Sequence, residues 1–195
     1  MSSVSSSRQF TCGRCGSTYT AGVYQMIDAQ ADPSLKEKVK DGSLFVRECP
    51  SCGHRELINA PVIYRDSQVL ICLSDRGLSV EGLEGVQGRL VGDVGSLIEK
   101  VKVFDASLDD VPLEFCKFVT RQELGKDVDL KFLRLEGADH DIIFTYPENG
   151  AMQLLSVGFN VYEDCCAIVR RNPGITNSLE GLVKIDREWA DHFLR

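Results

Sequence analysis

The pattern of apolar and polar residues changes along the chain, and its first third favours strands. Residues 17–28 are rich in aromatic and β-branched side chains, which are typical of a strand or a bent hairpin. Residues 43–48, 55–64 and 68–74 predict three further strands. We therefore expect residues 9–75 to form a small, mostly antiparallel sheet.

One helix is predicted within this region. Asp32 is suited to cap the N-terminus of a helix, Pro33 fits its first position, and Gly42 fits the residue that ends it. Residues 32–42 are therefore expected to form an inserted helix.

Further helices are predicted in the second half. Asp93 is placed to cap a helix whose apolar residues recur at helical spacing, namely Val94, Leu97, Ile98, Val101 and Phe104. Residues 112–124 predict another helix, and the short acidic join before them favours an antiparallel pair. Asp186 is placed to cap a terminal helix, on which Trp189 and Phe193 share one face.

Between these helices, the sequence predicts a C-terminal hairpin. Residues 127–136 and 141–146 alternate as strands do, and residues 152–159 are expected to return as a partner strand. Asn149-Gly150 accepts the positive φ angles of a tight hairpin turn.

The composition is that of an ordinary globular protein. The chain has 195 residues, of which 43% are hydrophobic and 26% charged. No stretch approaches the roughly 20 apolar residues of a membrane span, and the serine-rich start lacks the apolar run of a signal peptide. We therefore expect a soluble, cytoplasmic protein that does not bind membranes.

The net charge of −7 is unevenly distributed. Residues 1–75 contain 8 basic and 8 acidic side chains, whereas residues 76–195 contain 14 and 21. Neither half resembles a basic nucleic-acid footprint. The acidic second half instead favours a basic protein partner.

Four of the eight cysteines form two matched motifs, Cys12-Gly-Arg-Cys15-Gly16 and Cys49-Pro-Ser-Cys52-Gly53. Two cysteines three positions apart in a tight turn direct both sulfurs at one point, and the following glycine allows the backbone to curl beneath them. Two such knuckles supply four thiolates, which is the ligand set of a closed, structural zinc site. We therefore predict Zn²⁺ as the cofactor and Cys12, Cys15, Cys49 and Cys52 as its ligands.

The two knuckles are separated by 33 residues, which is longer than the roughly 15–20 of a compact zinc ribbon. The predicted helix at 32–42 accounts for 11 of them. The remaining 22 are close to the spacing of an ordinary ribbon.

The other four cysteines lie outside the two knuckles. Cys72 and Cys116 lie in apolar segments and are expected to be small buried hydrophobes. Cys165 and Cys166 are neighbours, whose side chains point in different directions in a helix or strand. We expect one core thiol beside a partly exposed one.

The knuckles and the segment between them resemble the bacterial CpXC domain family, which is named for two Cys-Pro-x-Cys motifs. The resemblance rests on Cys12-Gly-Arg-Cys15, on residues 35–45 and on Cys49-Pro-Ser-Cys52-Gly53-His54, and it extends over roughly the first 120 residues. Gly13 departs from the family pattern, which has proline there. Proline stiffens the knuckle but supplies no ligand. The resemblance implies a zinc-ribbon-like fold and no particular activity.

The fold class expected from these patterns is α+β. It comprises an N-terminal zinc-ribbon-like antiparallel sheet with an inserted helix, a helical pair, and a C-terminal β-hairpin sheet with a terminal helix. The expected domains are a CpXC domain at 9–75, a glycine-rich connector at 76–92, and an acidic α+β region at 93–195 that is free to pack with the first. The connector contains no nucleotide-binding fingerprint.

The sequence contains no recognisable set of catalytic residues, and we therefore predict none. His54 follows the second knuckle and could donate a hydrogen bond to a metal-bound sulfur, although an exposed strand residue is the simpler interpretation. His140, in Asp139-His140-Asp141, is expected in a turn between strands, and His192 on the terminal helix. Neither a Gly-x-Ser-x-Gly elbow nor a His-Glu-x-x-His helix occurs.

Three function classes follow. The leading hypothesis is a non-enzymatic zinc protein that acts as a protein-binding module, for example as an immunity-type inhibitor of a basic toxin. The first alternative is a nucleic-acid or transcription-associated adaptor, which the charge distribution disfavours. The second is a thiol redox protein that uses Cys165-Cys166 or a knuckle dithiol.

Overall fold

The computed structural model describes residues 2–74 and 85–194. The chain divides into two compact units, Met1–Ile98 and Glu99–Arg195. The mixture and order of helices and strands confirm the predicted α+β class. Among the described residues, no helix has the length and apolarity to cross a membrane.

The first unit is built around β-structure. Its strands are β1 (Val4–Thr11), β2 (Thr18–Asp28), β3 (Val46–Glu48), β4 (Arg55–Leu57), β5 (Val62–Arg65), β6 (Val69–Leu73) and β7 (Gln87–Val91). Five of them are hydrogen-bonded in the order β1-β2-β5-β6-β7, and β3 and β4 form a separate hairpin. Antiparallel pairing predominates, while the β2–β5 and β6–β7 pairs are parallel.

Strand β1 occupies a serine-rich segment in which the sequence analysis placed no strand. It pairs with β2 in antiparallel register from Ser5 opposite Tyr24 to Thr11 opposite Thr18. Most of its side chains are exposed, so the hydrophobic pattern contains little signal for it. The main-chain ladder with β2 holds it in place.

The inserted helix is confirmed as α1 (Pro33–Lys40). The Asp32 side chain accepts a hydrogen bond from the Ser34 N–H at 3.1 Å, and Pro33 takes the first helical position. Gly42 follows the helix with a φ of +77°, which glycine adopts without the cost of a Cβ. A 3-10 turn at Ser43–Phe45 follows, so the strand predicted from residue 43 begins only at Val46.

The strand predicted over residues 55–64 is divided into β4 and β5, which belong to different sheets. Pro61 lies between them and has no N–H to donate to a ladder. Asn59, also in the break, accepts a hydrogen bond from the Val94 N–H at 3.0 Å.

Part of the predicted connector at 76–92 lies outside the described residues, which resume at residue 85. The described remainder contains β7, which runs parallel to β6. Gly88 and Arg89 of this strand are buried. A short strand buried on both faces has no alternation of apolar and polar residues. Its glycines therefore led the sequence analysis to place it in a connector.

From residue 94 onward the chain forms helices and a second sheet. The helices are α2 (Val94–Asp105), α3 (Asp110–Leu124), α4 (Phe159–Arg171), α5 (Pro173–Asn177) and α6 (Arg187–Leu194). The strands are β8 (Lys131–Glu136), β9 (Asp141–Glu148), β10 (Ala151–Val157) and β11 (Leu182–Val183). Strands β8, β9 and β10 form an antiparallel sheet in the order β10-β9-β8.

The predicted caps and turn of this region are confirmed. Asp93 accepts a hydrogen bond from the Ser96 N–H at 2.8 Å, and Asp186 accepts one from the Trp189 N–H at 3.0 Å. Asn149 and Gly150 join β9 to β10 with φ angles of +51° and +77°. The predicted helical pair is α2 and α3.

The second unit has its own hydrophobic core. The Trp189 ring of α6 stacks on the Phe115 ring of α3, with 5.6 Å between centroids, and contacts the Phe193 ring at 4.9 Å. Helix α4, which the sequence analysis did not place, contributes Tyr162 and the Cys165 thiol to this core.

A cluster of charges is buried beside this core. Lys100 lies 2.6 Å from an Asp110 oxygen, and Lys117 lies 2.6 Å from Glu99 and 2.8 Å from Glu114. These five side chains are nearly inaccessible to solvent. Both lysines of this cluster therefore have a carboxylate partner, which compensates the burial of their charge.

Candidate metal centre

The first knuckle is the turn of the β1–β2 hairpin. The Cys12 N–H donates to the Ser17 carbonyl at 2.9 Å, and the Gly16 N–H donates to the Cys12 carbonyl at 2.9 Å. Gly16 has a φ of +72°, the left-handed conformation that favours glycine. These bonds curl the backbone so that Cys12 and Cys15 face the same side.

The second knuckle repeats this geometry in the β3–β4 hairpin. The Cys49 N–H donates to the His54 carbonyl at 2.8 Å, and the Gly53 N–H donates to the Cys49 carbonyl at 2.9 Å. Gly53 has a φ of +67°. The same spacing of cysteines and glycine therefore produces the same backbone turn twice.

The four sulfurs of Cys12, Cys15, Cys49 and Cys52 converge. Their Sγ atoms all lie within 4.8 Å of one another. The Sγ of Cys12 is 3.7 Å from that of Cys52, and the Sγ of Cys15 is 3.7 Å from that of Cys49. Each of these short distances joins one hairpin to the other.

This arrangement fits a tetrahedral metal ion. Thiolates bound at about 2.3 Å to the centre of a tetrahedron are about 3.8 Å apart. The two measured distances are close to that edge length, and both far exceed the roughly 2.05 Å of a disulfide. The four cysteines that the spacing singled out therefore lie close enough together to hold one metal ion.

Burial divides the four cysteines into an inner and an outer pair. The first cysteine of each knuckle is almost inaccessible, with Cys12 at 3% and Cys49 at 1% exposure. Cys15 is exposed and Cys52 partly buried. A metal held here would be enclosed on one side by the protein and reached from solvent on the other.

The two outer thiols, those of Cys15 and Cys52, have different pKa values. The hydroxyl and the main-chain N–H of Ser17 bond to Cys15 and lower the pKa of its thiol to about 6. The hydrogen bond from the His54 main-chain N–H likewise lowers the pKa of the Cys52 thiol. Burial and the neighbouring sulfurs outweigh it and raise the pKa of the Cys52 thiol to about 12. Without a metal, Cys15 therefore forms a thiolate more readily than Cys52, whose proton a metal ion would displace.

Aromatic side chains cover the inner side of the site. Tyr19 is buried against Cys12 and Cys49 in a small hydrophobic cluster that also includes Phe10. The Phe10 and Tyr19 ring centroids are 6.0 Å apart. This covering lowers the local dielectric, which strengthens the attraction between thiolates and a cation.

Arg47 links the second hairpin to the main sheet, a role that no sequence pattern indicated. Its Nε donates to the Gly22 carbonyl at 2.7 Å, while one terminal nitrogen donates to the Leu44 and Val46 carbonyls at 2.7 and 2.8 Å. An arginine within a short strand is unremarkable by itself. Only the fold shows that it reaches carbonyls of three segments.

His54 contributes to the site through its main chain. Both its carbonyl and its N–H take part in the second knuckle, at the position that Ser17 has in the first. No ring hydrogen bond of His54 occurs within the described part of the chain. The predicted bond from its ring to a sulfur stays a prediction. Aligning the two knuckles pairs Ser17 with His54, so their shared main-chain role could have been found from sequence, whereas the hydroxyl bond of Ser17 to Cys15 could not.

The remaining cysteines and histidines lie away from the four sulfurs. Cys72 and Cys116 are fully buried, as expected, and burial raises the pKa of both thiols. Cys165 is buried beside the partly exposed Cys166, which confirms the expected pair. His140 is exposed in the β8–β9 turn, and His192 is exposed on α6.

Comparison with known proteins supports the assignment of this region. The model of a family described as CpXC protein matches residues 10–76, which include both knuckles and α1. The match confirms the resemblance for this segment and ends short of the roughly 120 residues over which the motifs suggested it. No curated protein and no solved structure matches the chain.

Proposed function

We propose that this chain, whose residues 10–76 form a CpXC domain, is a non-enzymatic zinc protein with a basic protein partner. In this proposal Zn²⁺ is a structural ion held by Cys12, Cys15, Cys49 and Cys52. The acidic region that follows supplies the surface for the partner. The observation that carries the proposal is the convergence of four sulfurs from two separate hairpins.

The donor set favours zinc over other ions. Four thiolates in a tetrahedral arrangement are typical of structural zinc, which has no redox chemistry and leaves no position open for a substrate. Bound there, the ion supplies folding energy. The residues of this chain supply ligands, hydrogen bonds to sulfur and an aromatic cover.

The small size of the second hairpin explains why a metal is needed. Strands β3 and β4 have three residues each and pair only with each other. An isolated two-stranded hairpin is marginal in water. A metal that joins its turn to the turn of the β1–β2 hairpin would hold it in place.

Cobalt substitution tests the metal site directly. We expect the metal-free protein to bind one Co²⁺ per chain with the visible absorption of a tetrahedral cobalt thiolate, and Zn²⁺ to displace it. Cys49→Ser should weaken binding and alter the spectrum, whereas Cys166→Ser, a control outside the knuckles, should bind as the wild type does. An octahedral spectrum, or equal binding by both variants, would contradict the proposed site.

The protein-binding part of the proposal rests on surface charge. Ten acidic side chains are exposed between residues 99 and 194, against six basic ones. Such a surface attracts and orients a basic partner by long-range electrostatics. A small basic toxin neutralised by this chain is the form of partner we propose.

The partner is tested with a basic protein encoded beside this chain. We expect a one-to-one complex that weakens as salt rises from about 0.05 to about 0.5 M, where screening shortens the reach of surface charges. Reversing Glu163 and Asp164 to lysine on α4 should slow association more than Glu56→Lys on β4. A complex insensitive to salt and to all three substitutions, or no complex, would count against this role.

A further inference from the structure

A polar cavity of about 350 Å³ lies in the second unit at the C-terminal end of α3. Arg121 and Gln122 line it from α3, Lys126 and Asp127 from the loop after Gly125, and Arg187 and Asp191 from α6. Its volume is within the range of small-molecule sites. Three of the six lining side chains named here are cationic, in a protein whose net charge is −7.

Arg121 is the unusual member of this lining. Its side chain is buried, with 6% of the residue exposed, and one of its terminal nitrogens, Nη2, has no hydrogen-bond partner among the described residues. A buried polar atom of this kind is rare in native proteins, because its desolvation is not compensated. Burial and the neighbouring Arg187 also lower the pKa of the Arg121 guanidinium.

The other charges around the cavity are already engaged. Lys126 lies 2.7 Å from Glu148, and Arg187 is paired with Asp127. Asp191 has an interaction of its own within the structure. Arg121 is distinguished from these two cations by a buried N–H donor that has no hydrogen-bond partner among the described residues.

We propose that this cavity binds the oxyanion group of a small molecule, a carboxylate or a phosphate, with Arg121 as its principal donor. A guanidinium presents a planar fork of N–H groups that matches two oxygens of such an anion. Lys126 and Gln122, both exposed, lie where they can contact the rest of the ligand. This site contains none of the cysteines, so it stands apart from the proposed zinc function.

The test uses the full-length, metal-loaded chain with inorganic phosphate and with succinate as separate probes, at constant ionic strength. We expect saturable one-to-one binding of one probe by calorimetry. Arg121→Gln should weaken it about tenfold or more, the loss expected for hydrogen bonds to a charged donor. Arg134→Gln, an exposed arginine on β8, should leave the affinity unchanged. Which probe saturates distinguishes a phosphate site from a carboxylate site.

A second measurement does not depend on the folding of a variant. In the wild-type protein, the guanidinium NMR signal of Arg121 should shift with the same concentration dependence as the calorimetric binding, and that of Arg134 should not. The proposal is overturned if neither probe saturates, if Arg121→Gln and Arg134→Gln bind equally well, or if the Arg121 signal does not respond.

Discussion

At the scale of single residues, Gly16 and Gly53 have the same conformational role in the two knuckles. Both have a positive φ, and a Cβ placed on either would meet no atom within 4 Å. The requirement for glycine is therefore conformational and not steric.

Replacing Gly53 with alanine tests this requirement. An L side chain in the left-handed region costs about 1–2 kcal/mol. We expect Gly53→Ala to lower the stability of the metal-loaded protein by that amount in urea unfolding. Gly13→Ala is the matched control, since Gly13 has no positive φ and equal open space. Equal losses from the two substitutions would contradict this explanation.

The eight thiols also differ residue by residue in burial and in pKa. Burial raises the pKa of Cys116 to about 12 and that of Cys165 to about 11, whereas the pKa of Cys15 falls to about 6. Cysteine spacing is local information, so it identified all four cysteines whose sulfurs converge. The hydroxyl of Ser17 and the side chain of Arg47 act through contacts that spacing alone does not specify.

At the scale of elements, Arg47 holds the β3–β4 hairpin against β2. Substitution by methionine keeps most of the side-chain volume and removes three hydrogen bonds to carbonyls. Hydrogen bonds to a charged group contribute about 1.5–3 kcal/mol each. Their loss should release the hairpin that carries Cys49 and Cys52, so we expect at least a tenfold loss of zinc affinity in chelator competition. Arg55→Met, on the exposed face of β4, should have little effect. Unchanged affinity in Arg47→Met would show that the hairpin is positioned by the metal alone.

The buried charges joining α2 and α3 make a second prediction. Lys117→Met would leave Glu99 and Glu114 without their closest cation, and breaking a buried pair in this way costs about 3–5 kcal/mol. Arg134→Met removes an exposed pair with Glu136 and should cost less than about 1 kcal/mol. Urea unfolding of both variants measures the difference, and a loss below about 1 kcal/mol for Lys117→Met would refute it.

The same cluster predicts how stability depends on pH. Burial opposes the charged form of Glu99, but Lys117 and Lys131 outweigh it and hold the pKa of this carboxyl below its usual value. A depressed folded-state pKa contributes stability above the unfolded pKa of about 4.3, and this is lost as pH falls further. Glu99→Gln should therefore flatten the acid limb of the stability profile. Glu136→Gln, on the surface, should not, and equal flattening would argue against the cluster.

The elements that the sequence predicted are those with local signals. Helix caps at Asp32, Asp93 and Asp186 and the Asn149-Gly150 turn depend on neighbouring residues, and all four are confirmed. Strand β1 was missed because its side chains face solvent and only its backbone pairs. Helix α4 was missed although Phe159, Tyr162 and Cys165 recur at helical spacing.

At the scale of the whole molecule, the hairpins that carry the four sulfurs have less hydrophobic packing than the rest of the described chain, since the first unit also buries large apolar side chains elsewhere, among them Ile27, Tyr64 and Ile71. The second unit has a large hydrophobic core of its own. The cluster around the sulfurs is small, consisting of Cys12, Tyr19 and Cys49 with a few partly buried neighbours. Metal binding is therefore expected to matter most for the hairpins of the first unit.

The structural role of the metal is tested most directly by native mass spectrometry of the tag-free protein before and after a strong chelator, with hydrogen exchange measured on both samples. We expect one zinc ion per chain. Removal of that ion should abolish amide protection in the β1–β2 and β3–β4 hairpins, while the core of the second unit stays protected. A protein that contains no metal, or that keeps full protection in both hairpins after losing it, would contradict a structural metal site at the four cysteines.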